Sequence, residues 1–271
     1  MTVRRRAAVL AIGLYAGFMA LHLLLAWDGG QIVRAVLPHV DVWLGPVDWA
    51  IYAVFAVGAA AAVRADTGIG RRPARGWARL SLPLLAAGSP FLLFGYNLDA
   101  GSVIPLLVVG VPLVALNEEL FYRGVLLDML KPFGWRRAVL WSSIAFGASH
   151  LVNLVAGAYP PFIAMQVAAT TAGGVALAAI RIRTGSLWPA LFVHLVIDLI
   201  AVSTLTGSAT NSPILLPVLF IWLVANLAMW RYGWRLLRRT SSIKTENAGL
   251  PPQAWTAAAS VPDWSWSLLR R

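Results

Sequence analysis

The stretch 105–127, PLLVVGVPLVALNEELFYRGVLL, decides how this chain is read. It is apolar and long enough to cross a bilayer, which takes roughly 20 residues, yet it holds Glu118, Glu119 and Arg123. Each such charge costs roughly 2.5–3.5 kcal/mol at the centre of a spanning helix. A chain keeps them there when they pair or take part in chemistry. Glu119 and Arg123 stand four apart in the acid-first order that favours an i,i+4 pair. Glu118 points about 100° away around an α-helix and has no partner on its own helix. The spacing predicts Glu119–Arg123 as a structural pair and Glu118 as the free carboxylate, suited to act as a general base. A single buried ion pair would read as structural or as part of an ion path; the second glutamate is what points to chemistry.

The rest of the chain agrees with a membrane setting. Over 271 residues it is 59% hydrophobic and 12% charged, with a mean hydropathy of +0.72. A soluble domain is nearer half apolar and a quarter charged, so the composition predicts an all-α polytopic membrane protein. About eight transmembrane helices are expected, at 7–27, 42–63, 79–95, 103–130, 138–156, 160–181, 187–205 and 213–234. Leu25-Ala26-Trp27-Asp28 lacks a small-residue cleavage pattern, so the first segment is read as a retained helix and not as a secretory signal. The transmembrane domain is placed at 1–239. The polar, proline-containing remainder, 240–271, is expected to be a disordered cytoplasmic tail. Pro112 is expected to bend the fourth segment just before the glutamates.

A net charge of +11 would suit a nucleic-acid binder, but its distribution argues otherwise. Cationic clusters precede segment one (Arg4–Arg6) and separate two from three (Arg64 to Arg79), four from five (Lys131, Arg136, Arg137) and six from seven (Arg181, Arg183). Another follows segment eight (Arg231 to Arg239), whereas the intervening connections carry Arg34 alone. This alternation is the positive-inside pattern for an even number of spans with both termini cytoplasmic. The charge sets topology and can touch anionic lipid; no nucleic-acid partner is implied. Twenty arginines against two lysines fit a GC-rich bacterial genome, and so the bacterial inner membrane. With no cysteine, thiolate chemistry and disulfides are excluded.

Two more apolar segments carry polar groups that match the glutamates. His150 closes the run WSSIAFGASH in segment five, and His194 and Asp198 stand four apart in segment seven. That second spacing suits a carboxylate orienting an imidazole, or two ligands to one metal ion. Depth ties the groups together. Glu118 lies 13 residues before Lys131 and His150 lies 13 residues after Arg137, about 20 Å from those charges at ~1.5 Å per residue. His194, 11 residues after Arg183, is somewhat shallower, with Asp198 one turn deeper. Four polar groups from three helices are thus expected to converge at one level. Asn153, one turn from Ser149 and near the site, is expected to support the groups that act there. His22 and His39 have no polar partner at helical spacing and read as structural or solvated, and Asn97 and Asp99 as ordinary loop residues.

These residues resemble a known family. Glu118-Glu119-Leu-Phe-Tyr-Arg123 is similar to an EExxxR motif, Phe146-Gly-Ala-Ser-His150 to FxxxH, and His194-Leu-Val-Ile-Asp198 to HxxxN/D. Their order is that of the CPBP family of intramembrane proteases, the CAAX-prenyl-endopeptidase-like and bacteriocin-processing (Abi) proteins, over about 100–205. The resemblance implies an endopeptidase with its site open toward the cytoplasm. In it Glu118 and His150 would activate water while His194 and Asp198 stabilise the oxyanion. Family members have been described both as metalloproteases and as metal-independent glutamate proteases. Here Asp198 replaces the commoner asparagine, and an ionised Asp cannot donate a hydrogen bond to an oxyanion. Asp198 must then be protonated, or orient His194 as imidazolium, or join Glu118, His150 and His194 around a divalent ion such as zinc. No HExxH pair is present, and the reading leans to no obligatory metal. The implied partners are a peptide or protein substrate, membrane-anchored or not, and the lipid bilayer. Two other classes compete: a proton-coupled transporter, for which no inverted repeat is visible, and a non-catalytic scaffold or immunity protein.

Overall fold

The computed structural model describes residues 2–36, 44–95, 104–205 and 215–246. The expected tail from residue 247, and His39, Asn97 and Asp99, lie outside the described residues. Helices α1 (Val3–Val36), α2 (Leu44–Ala62) and α3 (Trp77–Gly88, continued by a 3₁₀ turn Ser89–Phe94) come first. The helical stretch 106–129 is α4, followed by α5 (Trp135–Ser149), α6 (Pro160–Thr184), α7 (Trp188–Leu205) and α8 (Leu215–Glu246). The chain is an all-α polytopic membrane protein. Among the described residues, Val3–Ala26, Trp77–Phe94, Pro160–Thr184 and Leu216–Arg238 are long and apolar enough to span, while Pro46–Ala62 and Trp188–Thr204 are apolar but shorter. Helix α8 runs to Glu246, so the first residues of the expected tail continue a helix.

Helix α6 is the hub. Of the window long enough to span, 61% is buried, against 22% in α1 and in α8. Small residues permit this. A Cβ on Gly233 of α8 would stand 2.9 Å from the backbone of Ala176, and one on Gly147 of α5 would stand 2.8 Å from the carbonyl oxygen of Val167. Bringing backbones this close lets dispersion and packing hold helices together where lipid offers no hydrophobic drive.

Helix α4 departs from the simple kink expected at Pro112. It is π-helical over Leu106–Gly110, α-helical over Val111–Glu118 and π-helical again over Glu119–Leu126. The first wide turn has a local cause. Pro112 offers no N–H and its ring crowds the carbonyl one turn back, and the Val111 N–H instead reaches Leu106 O. Helix α5 also ends earlier than expected: from His150 to Leu154 the chain tightens into a 3₁₀ turn.

On the side bearing the cationic connections, the segment after α2 is tied down. Arg181 of α6 donates to Thr67 O and Asp66 O at 3.0 Å each, and Asp66 pairs with Arg71 at 2.6 Å. Gly68, at φ 69°, makes the turn, since a Cβ there would sit 2.5 Å from the Arg181 guanidinium. Asp128, at the end of α4, accepts the Asp66 N–H and pairs with Lys131. Burial pulls the Lys131 ammonium below the usual lysine range, and Asp128 opposes that shift. The basic connection therefore does more than set topology: it braces the base of α4 against α6.

Candidate active site

The second π-helical stretch begins at Glu119, inside the glutamate pair. Wide turns of this kind recur at functional sites, because one extra residue per turn re-aims the side chains around it. Here Leu127 N–H reaches back to Tyr122 O. Gly124 lets the chain after α2 approach, for a Cβ would stand 3.0 Å from Thr67 Cγ2.

Glu119 and Arg123 meet at 2.8 Å with no exposure of either side chain. The same carboxylate oxygen, Oε1, also lies 2.8 Å from His194 Nδ1. Glu119 is therefore more than Arg123's counter-ion: it joins α4 to α7 and fixes one face of an imidazole. Sequence spacing alone pointed to Asp198 for that role. The Arg123 guanidinium lies 4.0 Å over the Phe146 ring, a cation–π contact strengthened by burial. Phe146 in turn meets His150 and His194 edge-on, with ring centroids 5.1 and 5.8 Å apart. Gly174 of α6 leaves room for this assembly; a Cβ there would stand 3.0 Å from Arg123 Nη2.

The other nitrogen of His194, Nε2, is 3.4 Å from Glu118 Oε2 and 3.3 Å from Asp198 Oδ2. Glu118 is thus partnered from α7, although it has no partner on its own helix. A neutral imidazole has one donor and one acceptor, yet both nitrogens here face carboxylate oxygens. Fully ionised, the cluster would hold three carboxylates against Arg123 and an imidazolium. Leaving a buried charge uncompensated is costly, so the arrangement is built to hold an exchangeable proton.

His150 sits at the α5 terminus, where the helix gives way to the 3₁₀ turn. Its Nδ1 is 3.0 Å from Phe146 O. A carbonyl only accepts, so Nδ1 carries the hydrogen and Nε2 is an acceptor in the neutral ring. Glu118, His150, His194 and Asp198 line one cavity of 410 Å³. The cavity wall also includes Asn153, expected near the site, His22, expected to be structural or solvated, and Gln166, Thr170 and Asn226, which the sequence did not single out. Asn153 Nδ2 donates to Gln166 Oε1 at 3.1 Å, and Ser149, Thr170, Asn226 and His22 add to the polar lining. No helical spacing links Gln166, Thr170 or Asn226 to the charged groups, so only the packed fold reveals them.

Among the described residues, no group of three or more His, Asp or Glu side chains is placed to hold a metal ion. The His194 nitrogens both face carboxylates, and the His150 Nδ1 faces a carbonyl. Both imidazoles are held by Nδ1, so any further contact of either ring is made through Nε2.

Comparison with known proteins bears on residues 100–200, which match the Rce1-like family, described as type II CAAX prenyl endopeptidase Rce1-like. No curated protein matches the chain. No solved structure matches it either. The matched segment covers α4 to α7 and holds Glu118, Glu119, Arg123, His150, His194 and Asp198. The match of residues 100–200 to the Rce1-like family is consistent with a CPBP-family protein.

Proposed function

We propose that this protein is an intramembrane endopeptidase that hydrolyses a peptide bond near the cytoplasmic face of a bacterial inner membrane. The Rce1-like match supports an intramembrane CAAX-type protease in general. The observation that carries the finer reading is that Glu118, His150, His194 and Asp198, from three helices, open on one cavity. The alternation of cationic connections supports a cytoplasmic placement.

In the proposed reaction, a water held between Glu118 and His150 Nε2 attacks the substrate carbonyl carbon, and Glu118 takes its proton. The C=O electrons move to oxygen, and the oxyanion receives a hydrogen bond from His194 Nε2–H. Arg123 and Glu119 hold the His194 ring by its Nδ1 side, leaving Nε2 to face the reacting group. Asp198 stabilises the imidazolium form that can donate there. The C–N bond then breaks and the proton passes from Glu118 to the leaving amine, giving a free carboxylate and amine.

The test is purified protein in detergent with a fluorogenic peptide panel, comparing wild type with Glu118→Gln, each with and without chelator. Cleavage by wild type, its loss in Glu118→Gln and its persistence under chelation are expected. Cleavage that survives Glu118→Gln would overturn the mechanism, and rescue by zinc after chelation would overturn its metal-free form. Proton-dependent solute uptake in vesicles without cleavage would replace the peptidase by a carrier.

A further inference from the structure

His22 reads from the sequence as an isolated histidine of α1, outside the Rce1-like segment. The fold places it on the same cavity as His150. Its ring is fixed in the same way: Nδ1 lies 3.0 Å from Phe18 O, as His150 Nδ1 lies 3.0 Å from Phe146 O. The ring also stacks in parallel on Tyr52, with centroids 3.8 Å apart and planes 5° apart, and packs against Phe18 at 4.4 Å. With the Nδ1 hydrogen given to a carbonyl, Nε2 is an acceptor in the neutral ring. Among the described residues Nε2 has no protein partner.

Depth places the two histidines at one level. Tyr15 OH donates to Ala145 O at 3.1 Å and Arg4 donates to Pro132 O at 3.1 Å, so α1 and α5 run side by side in the same direction. His22 lies seven residues beyond Tyr15 and His150 five beyond Ala145, about 10 and 8 Å along at ~1.5 Å per residue. The same cavity wall includes Trp49, whose ring is 6.2 Å from that of His22, and the apolar Leu106, Val111 and Val114. A peptide lying there brings backbone N–H groups into apolar surroundings, where each needs an acceptor.

We infer that His22 is a substrate-binding residue whose Nε2 accepts a hydrogen bond from a backbone N–H of the bound peptide. The inference rests on the peptidase reading above. A fixed imidazole with one outward acceptor suits an amide donor and no particular side chain, so it adds affinity without selecting sequence. The α1–α2 pair then forms one wall of the substrate site beside α4, where Phe18 stacks on Phe121 at 4.1 Å.

The experiment uses the fastest-cleaved peptide of the panel with full-length wild type, His22→Phe and His22→Gln. Phe keeps a ring against Tyr52 and removes the acceptor; Gln returns an acceptor near the Nε2 position. Phe should raise KM about tenfold, the effect of one lost hydrogen bond to a buried amide, with kcat changed far less, and Gln should restore KM to within about threefold of wild type. The same order should appear in the peptide's Kd, measured by fluorescence polarisation in the Glu118→Gln background. His22→Leu stands in if His22→Phe does not give monodisperse protein. Equal KM for Phe, Gln and wild type, or a fall in kcat with KM unchanged, would overturn the role of His22. Absence of cleavage by wild type would instead overturn the peptidase reading, while the Kd series still tests peptide binding at His22.

Discussion

Glu119 Oε1 lies 2.8 Å from His194 Nδ1, bridging 75 residues of sequence, and the same oxygen lies 2.8 Å from Arg123 Nη1. One atom thus neutralises the buried guanidinium and sets the orientation of the imidazole. Pairing and positioning are coupled, so neither can be removed alone. This resembles the carboxylate–imidazole arrangements in which a buried acid fixes tautomer and ring angle for a histidine that works through its other nitrogen.

Breaking the pair from one side should be costly. Arg123→Met leaves Glu119 as a buried carboxylate with no exposure and should lower stability by about 3–5 kcal/mol. The double variant Glu119→Leu/Arg123→Met should be less destabilised than the sum of the singles, because no lone charge remains. Thermal unfolding in detergent measures both. The double variant should still lose cleavage, since His194 Nδ1 has lost its acceptor; a folded and fully active double variant would show that Glu119 serves stability alone.

Glu118 should separate from Glu119 in the opposite way. Its contact is a 3.4 Å approach to His194 Nε2, whereas the direct ion pair of Arg123 is with Glu119. Glu118→Gln should lower kcat by about 10²–10⁴, the usual weight of a general base, while the unfolding midpoint stays close to wild type. A variant that loses stability and activity in step would place Glu118 in the structural pair instead.

The sequence made the charged framework legible because burying charge in an apolar helix is expensive and leaves few explanations. The i,i+4 spacing gave the Glu119–Arg123 contact, and counting residues from the cationic connections placed Glu118 and His150 at the same depth. The π-helical turn at Glu119 was not legible, since no residue type in Glu119–Leu126 marks it and Gly124 shows its use only where Thr67 packs on it. The Glu119–His194 bond depends on that register and on the rotation of α7. His22, Gln166 and Asn226 were hidden for another reason: none has a charged residue at helical spacing on its own helix, and only packing reveals that they share a cavity.

Asp198 stands 3.3 Å from His194 Nε2, on the same nitrogen as Glu118. Asp198→Asn removes one of three carboxylates around the imidazole while keeping an acceptor and adding a donor. Activity should persist within about tenfold of wild type, whereas Asp198→Leu, with no polar group, should lose at least about 10² in kcat. Steady-state kinetics on a single peptide decides this. If Asn and Leu are equally inactive, the carboxylate charge, and not a polar contact at position 198, is what holds His194 in its donating form.

Two glycines should report how tightly α6 positions the site. A Cβ on Gly147 would fall 1.9 Å from Thr171 Oγ1 and 2.8 Å from the backbone oxygen of Val167. The first contact can be relieved by rotating Thr171, but the second is with backbone, so Gly147→Ala must push α5 away from α6. His150 lies three residues on and should move with it. At Gly174 the Cβ would meet Arg123 Nη2 at 3.0 Å, Ser143 Cβ at 3.2 Å and Phe146 Cδ1 at 3.3 Å, all side chains that can shift by a few tenths of an ångström. Overpacking of this kind costs about 1–3 kcal/mol, with Gly147→Ala at the upper end and Gly174→Ala at the lower. Activity should follow the same order, because a misplacement of about 1 Å at a reacting group can cost around 10²-fold. The double variant Gly147→Ala/Thr171→Ala should recover only part of the loss; full recovery would mean that the hydroxyl, and not the backbone of α6, sets the distance between α5 and α6.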